Sequence, residues 1–288
     1  MKYITYQQNG RGRSGHQLKD IMTVFIISLF IKKIEVIYDK SWGNQMIFEN
    51  IKIKTNVNYN QCLEINNFTD DKYNNKCKFD GITFQTFNEI LNQINDCTEN
   101  TLIILSGVIR IHPYQLHDWF TENKIKEDYF TEKFIPLVRK FYNNNILELK
   151  NVFSIHIRRG DESKRAIALG WDINFYSNVI LLINKCLDIP INIYSETEES
   201  EDLLILKKYK NVNLKLGNTN SLKNDIKEMI TSKYLLISNS SLSNWMAYIS
   251  KGDIFIPKNK IIRHFQHSEY PSNIHYIEDL EYYITNVR

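Results

Sequence analysis

The sequence predicts an α/β protein that opens with a βαβ unit and builds its second half around a parallel sheet. Three observations lead there. Residues 1–40 carry a short strand, a Gly-containing loop, a helix-length apolar run and a second strand. From Val152 onward, short apolar strands alternate with helix-like stretches, the pattern of parallel strands joined by right-handed crossovers. The chain has 288 residues, 43% of them hydrophobic, which suits one large domain or two of ordinary size. With 24% charged residues, 10 Gly and 5 Pro, the chain is neither disordered nor of low complexity. A formal net charge of +3 argues against holding nucleic acid through a broad basic face.

The elements follow in order. Lys2 to Tyr6 is the first strand, and Gln7 to Gly15 is a polar loop. His16 to Lys33 has a helical apolar pattern, and Ile34 to Tyr38 is a second strand ending at Asp39. The apolar run Ile21–Ile31 is shorter than the roughly 20 residues that span a bilayer. No small-residue cleavage site follows it, so it reads as a core helix in a soluble, cytoplasmic protein without a signal peptide. Residues 44–80 are Asn-rich and read as loops with strand pieces, and Thr101 to Leu105 is a buried strand. Pro113 to Asn145 carries two helical patterns that end at the breaker Asn143-Asn144-Asn145. The join between lobes falls there, giving domains of 1–150 and 151–288. The second lobe has strands at Val152–Ile157, Ile191–Tyr194, Val212–Leu216, Tyr234–Ile237 and Asp253–Ile256. Helical stretches fall at 173–186, 199–209, 221–231 and 243–250. Cys62, Cys77, Cys97 and Cys186 have neither CxxC nor zinc spacing and read as small buried hydrophobes.

Open α/β sheets bind ligands at the carboxyl ends of their strands, and three loops there carry chemistry. The first is Phe153-Ser154-Ile155-His156-Ile157-Arg158-Arg159-Gly160-Asp161. On an extended strand His156 and Arg158 share one face. Two guanidiniums offer forked, permanently charged donors that match a phosphate. The plainer alternative is a local ion pair between Arg158 and Asp161. The second loop leads from a strand into Ser238-Asn239-Ser240-Ser241-Leu242-Ser243-Asn244-Trp245. Hydroxyls and helix-start amides bind anions, while the plainer alternative is N-capping by Ser241 or Ser243. The third is Asn9-Gly10-Arg11-Gly12-Arg13-Ser14-Gly15-His16-Gln17-Leu18. Its G-x-G-x-x-G spacing is a weak dinucleotide signal taken singly, and Asp39 is the nearest acidic residue at a second-strand end.

Together these loops resemble the GDP-fucose-dependent fucosyltransferase superfamily, above all the α-1,2-fucosyltransferases of glycosyltransferase family 11. That family opens with a strand and a Gly-rich loop ending in Gly-Asn-Gln-Leu, here Gly15-His16-Gln17-Leu18. Its His-x-Arg-Arg-Gly-Asp is present unchanged at 156–161. Its Asn-Ser-Ser-Phe-Ser-Trp-Trp-Ala reads Asn239-Ser240-Ser241-Leu242-Ser243-Asn244-Trp245-Met246-Ala247, and its Ser-Asp-Asp reads Ser195-Glu196-Thr197. His16, Asn244 and Glu196-Thr197 depart from the pattern at positions that bear on acceptor and donor sugar.

The resemblance implies an inverting glycosyltransferase of GT-B-like architecture, its two Rossmann-like lobes facing a central cleft. GDP-fucose is the implied donor, held mainly by the C-terminal lobe, and a glycan hydroxyl the acceptor, on the N-terminal side. Arg158 would contact the phosphates and stabilise the leaving group. His156, Arg159 and Asp161 would seat the nucleotide and the loop, and Ser240, Ser241 and Ser243 would bind the diphosphate. Glu196 would lie near guanine or ribose, while Gly12, Gly15, His16 and Gln17 would close over the sugar. The base is drawn from Asp161, Glu162, Asp172 and His16. No Asp-x-Asp stands at a strand end, so no metal is expected. Three other readings stay open: another nucleotide sugar on the same fold, a non-catalytic nucleotide or glycan binder, and an NAD(P)-linked enzyme. The oligomeric state is open too.

Overall fold

The computed structural model describes residues 1–7, 14–39, 41–42, 52–54, 57–65, 84–106, 123–124, 130–141, 148–159, 163–196, 201–217, 222–259 and 273–286. The chain divides into two compact units, Met1–Asn144 with His267–Glu269, and Asn145–Gln266 with Tyr270–Arg288.

In the first unit the sequence of elements is β1 (Lys2–Gln7), α1 (Ser14–Ser28), β2 (Ile34–Tyr38), β3 (Lys52–Ile53), β4 (Gln61–Ile65), α2 (Phe84–Asp96) and β5 (Thr101–Ser106). A π-helical turn, Phe130–Phe134, then leads into α3 (Ile135–Phe141). The strands form one parallel sheet in the order β3-β2-β1-β5-β4. Ile21, Met22, Val24, Phe25, Ile26 and Ile27 of α1 are all buried. A helix apolar on every side belongs inside a core, and the expected core helix over this run is what forms. It ends earlier than the apolar pattern suggests, because turns after Ile26 and Ile27 lead to Lys33, whose φ is 55°. Helix α2 was not expected from the sequence. Its apolar stripe is Phe87, Ile90, Leu91 and Ile94, all buried, at helical i, i+3, i+4, i+7 spacing among Asn and Gln that dilute the pattern. Cys62 is exposed and Cys97 and Cys186 partly so, so the reading of the cysteines as buried hydrophobes fails at all three, and Cys77 lies outside the described residues. Cys62 lies on β4, the outermost strand of the sheet.

The second unit begins with β6 (Lys150–His156), α4 (Ser163–Ala168), α5 (Ile173–Cys186), β7 (Ile191–Ser195) and α6 (Glu201–Leu204). A 3₁₀ turn, Ile205–Lys208, precedes β8 (Val212–Leu216), α7 (Leu222–Ile230), β9 (Ser232–Leu236), α8 (Ser241–Ile249) and β10 (Asp253–Ile256). β11 (Ile274–Tyr276) and α9 (Leu280–Asn286) complete it. Among the described residues its six strands are all parallel, in the order β11-β10-β9-β6-β7-β8. The chain thus builds outward from β6 through β7 to β8. It then returns to the other side of β6 and builds outward again through β9, β10 and β11. Strand order reverses between β6 and β9, and the carboxyl ends of strands at such a reversal are where open α/β sheets bind ligands.

Helix α5 spans the residues expected of it. Asp172 caps it by accepting the Phe175 N–H at 2.8 Å, and Tyr176, Val179, Ile180 and Ile183 form its buried stripe. The single helix expected over 199–209 is instead a short α turn and a 3₁₀ turn. Strand β11 has only 3 residues, too few to show an alternating pattern. The expected α/β class, with parallel sheets in both halves, is the observed one.

Candidate functional site

The two strands flanking the reversal are paired in register, Ser154 opposite Leu235 and Ile155 opposite Leu236. Their carboxyl ends lead into 156–159 and 237–240. A hydrogen bond joins the two: His156 Nδ1 lies 3.0 Å from Ser238 Oγ. His156 is buried, and burial first and the Arg158 charge second lower its pKa to about 3. The ring is therefore neutral at working pH, with one nitrogen donating and the other accepting.

Ser238 in turn belongs to a closed serine turn. Ser243 Oγ accepts from the Ser238 N–H at 3.2 Å and lies within donating reach of two carbonyls, Ser238 O at 3.0 Å and Ser240 O at 3.1 Å. Ser240 N–H donates to Ser238 O at 2.7 Å. Ser240 is the N-cap residue of α8, yet its side chain makes no capping hydrogen bond. The first-turn amides of α8 thus receive no capping from that hydroxyl, and such amides are what an anion at a helix start engages. Plain N-capping by Ser243 is not observed, because its hydroxyl folds back onto the turn. The backbone of Ser241 opens the helix, while its side chain lies outside the described residues.

The two neighbouring arginines part company. Arg158 Nη1 sits 2.9 Å from Glu196 Oε1, and the side chains are 20% and 30% exposed. Glu196 follows β7, the neighbour of β6 on the side away from β9. Arg158 therefore has its ion pair with Glu196, whereas Asp161, the partner the plainer reading named, lies outside the described residues. Arg159 points into the unit. Its Nε donates to Asp202 Oδ2 at 3.2 Å and its Nη1 to Trp171 O and Arg158 O, each at 3.2 Å. Its guanidinium lies 5.8 Å over the Tyr176 ring. With Arg159 only 3% exposed, the expected pair of guanidiniums side by side at a ligand is not what forms. Arg158 reaches the strand-end surface, and Arg159 braces the loop from beneath.

Gly160, Asp161, Glu162 and Gly12 lie outside the described residues. Gly15, His16 and Gln17 form the first turn of α1, next after the carboxyl end of β1, and their side chains are outside the description. Of the base candidates, Asp172 is engaged as the α5 cap. Asp39, the acidic residue considered for a dinucleotide ribose, accepts from the Ser41 N–H at 2.9 Å and pairs with Lys54 at 3.1 Å. Burial raises its pKa, but Ser41 and Lys54 outweigh that and hold it below the ordinary carboxylate value. A carboxylate so engaged gives the NAD(P) reading no support.

Three residues of this site carry no assigned role in the sequence reading: Ser238, Asp202 and Trp171. Ser238 stands in the quoted serine motif, so its signal was legible. Asp202 and Trp171 carry no local signal, since only the folded chain brings them to Arg159. Among the described residues no helix is long and apolar enough to cross a membrane, and no group of three or more His, Cys, Asp or Glu could hold a metal.

No family model and no curated protein matches the chain. Solved structures do resemble it. E. coli heptosyltransferase WaaC with ADP has a TM-score of 0.46 at 8% identity, over 96% of this chain and 92% of that one. NodZ α-1,6-fucosyltransferase soaked with GDP-fucose has a TM-score of 0.37 at 11% identity, over 90% and 96%. The glycosyltransferase GlyE of Streptococcus pneumoniae TIGR4, in its apo form, has a TM-score of 0.33 at 11% identity, over 69% of this chain. This chain spans 40% of the length of that structure. All three TM-scores lie below 0.5, so the functional reading rests on the chain's own residues.

Proposed function

We propose that this protein is an inverting, metal-independent glycosyltransferase that moves L-fucose from GDP-fucose to a hydroxyl of a glycan acceptor, in the manner of α-1,2-fucosyltransferases. One observation carries the reading. The His-x-Arg-Arg-Gly-Asp loop and the serine turn leave neighbouring strands at the reversal of sheet order, and the His156–Ser238 hydrogen bond holds them together.

In this reading the acceptor oxygen attacks C1 of fucose from the face opposite the phosphate. The C1–O bond to the β-phosphate breaks, GDP departs with the electron pair, and the acceptor proton passes to a base. Negative charge grows on the departing phosphate. Arg158 meets it with a forked cation, and the start of α8 meets it with the Ser240 hydroxyl and the backbone amides from Ser241 onward. Glu196 holds the Arg158 guanidinium in place, beside the position the resemblance gives to guanine or ribose. His156, neutral and buried, ties the arginine loop to the serine turn, and Ser243 closes that turn. Arg159 carries the loop. Asp161 and Glu162 are the carboxylates best placed in the sequence to take the proton. The unit after residue 150 would hold the donor, while Gly12, Gly15, His16 and Gln17 of the first would face the sugar and acceptor.

A thermal-shift panel with GDP, UDP and NAD tests this, followed by mass analysis of products from GDP-fucose and a glycan series. GDP alone is expected to stabilise the protein, by about 2.7 kcal/mol at one hundred times its Kd. Fucosylated product and free GDP should follow. Arg158→Ala should fold and lose roughly 10²–10³ in kcat. Preference for UDP would replace the donor, and GDP binding without turnover would leave a binding protein. Wild-type rates in Arg158→Ala would remove the arginine from the mechanism.

A further inference from the structure

The second unit has a cavity of about 660 Å³ on the β6-β7-β8 side of its sheet. Lys150, Asn192 and Val212 line it at the amino-terminal halves of β6, β7 and β8, and Asn213, Leu214 and Lys215 carry it along β8. Its Lys150 end lies about 20 Å from His156 along β6 at 3.3 Å per residue, its Lys215 end is level with His156 two strands away, and none of its lining residues stands in the loops described above. Its size falls within the range of small-molecule sites.

The lining is unusual for the face of an open parallel sheet, which is normally apolar beneath covering helices. Charge comes from Lys150, Lys207 and Lys215 against the single carboxylate of Glu228. None of the three lysines has an ion-pair partner among the described residues, so the cavity keeps a positive excess. Beside them runs a chain of hydrogen bonds across the sheet. Asn213 Nδ2 donates to Asn192 Oδ1 at 3.2 Å, Asn192 Nδ2 to Tyr194 OH at 3.4 Å, and Tyr194 OH to Glu228 Oε2 at 2.8 Å. A second short chain, Ser154 Oγ to Ser232 Oγ at 2.6 Å and Ser232 Oγ to Glu228 O at 2.8 Å, fixes its other side. These bonds fix the side-chain amides and the carboxylate in place. They leave Asn213 Oδ1 and Glu228 Oε1 without hydrogen-bond partners among the described residues. Val152, Val212 and Leu214 supply apolar surface.

Fixed amide and carboxylate oxygens accept from vicinal hydroxyls, apolar patches take the C–H face of a sugar ring, and lysines neutralise an anionic substituent. We propose that this cavity is a second ligand site, taking a saccharide that carries a phosphate, sulfate or carboxylate group. The site stands independently of the transferase reading, since none of its residues belongs to the loops at the carboxyl ends.

Titration calorimetry on the whole chain tests it, using hexoses that carry phosphate, sulfate or carboxylate at C6, with the uncharged methyl hexoside and inorganic phosphate as controls. At least one charged hexose should bind at least tenfold more tightly than either control, and the rank among the three identifies the anion. The double variant Lys150→Glu, Lys215→Glu should lose at least tenfold in affinity with its circular dichroism unchanged. Asn213→Ala, on an outermost strand, should weaken the sugar and leave inorganic phosphate unaffected. GDP should not displace the sugar. Absence of binding by every charged hexose, equal affinity for inorganic phosphate, full affinity in the double variant, or displacement by GDP would each overturn the site.

Discussion

At the scale of single residues, His156 shows how one buried ring can join two loops. It is 4% exposed, and burial together with Arg158 keeps it neutral down to a pH of about 3. The unfolded chain takes up a proton on this ring below about pH 6.5. Between those values the unfolded state binds more protons than the folded one, so stability rises with pH across that window and is level above it. Denaturant titrations from about pH 4 to 8 should show this histidine costing up to about 1.4 kcal/mol per pH unit on the acid side. His156→Asn keeps a polar group near Ser238 and removes the titration, so its curve should lie flatter below pH 6.5. A variant curve parallel to wild type would contradict the assignment. The arginines teach a second lesson at this scale. Alternation along an extended strand would place His156 and Arg158 on one face, but β6 ends at His156. Beyond the last strand residue that rule has no force, and Arg159 goes where Asp202 and Trp171 draw it.

At the scale of elements, the second unit depends on close backbone approach where β10 enters the sheet. A Cβ on Gly252 would overlap the carbonyl oxygens of Ser232 and Lys233 at the start of β9. Gly252 N–H also donates to Ser250 Oγ at 3.1 Å, and its carbonyl accepts from Asn273 Nδ2 at the start of β11. One glycine thus sits where three strands begin, and only a residue without a side chain fits there. Gly252→Ala should cost about 1–3 kcal/mol, as overpacking does, read as a lowered denaturant midpoint. Because β9 carries the serine turn at its far end, the same variant should also weaken nucleotide binding. Unchanged stability would mean that the strands separate freely.

At the scale of the whole molecule, the proposed nucleotide site is built from the second unit. Hydrogen exchange with and without GDP is expected to show protection in β6, in β9 and in the first turn of α8. Amides of β4 and α2, in the first unit, should exchange at unchanged rates. Protection confined to the first unit would move the nucleotide away from Arg158. Much of this arrangement was legible in the sequence. Apolar strands flanked by helix-length stretches foretold all five expected strands of the second half, and the described residues 156–159 and 238–240 stand at the ends of β6 and β9. Helix α2 was obscured because Asn and Gln dilute its stripe, and β11 because three residues show no period.

By itself the sequence determined which segments are strands and helices, since the period of apolar residues is a local property. It also determined which residue types stand at the strand ends. Only the tertiary structure decided the order β11-β10-β9-β6-β7-β8, and with it that His156 and Ser238, 82 positions apart, share a hydrogen bond. Local pattern says that a segment will pair, but strand neighbours are chosen by which apolar faces bury together, a property of the whole chain. The same global choice gave Arg158 to Glu196, turned Arg159 inward, and left the lysine-lined cavity on the sheet face.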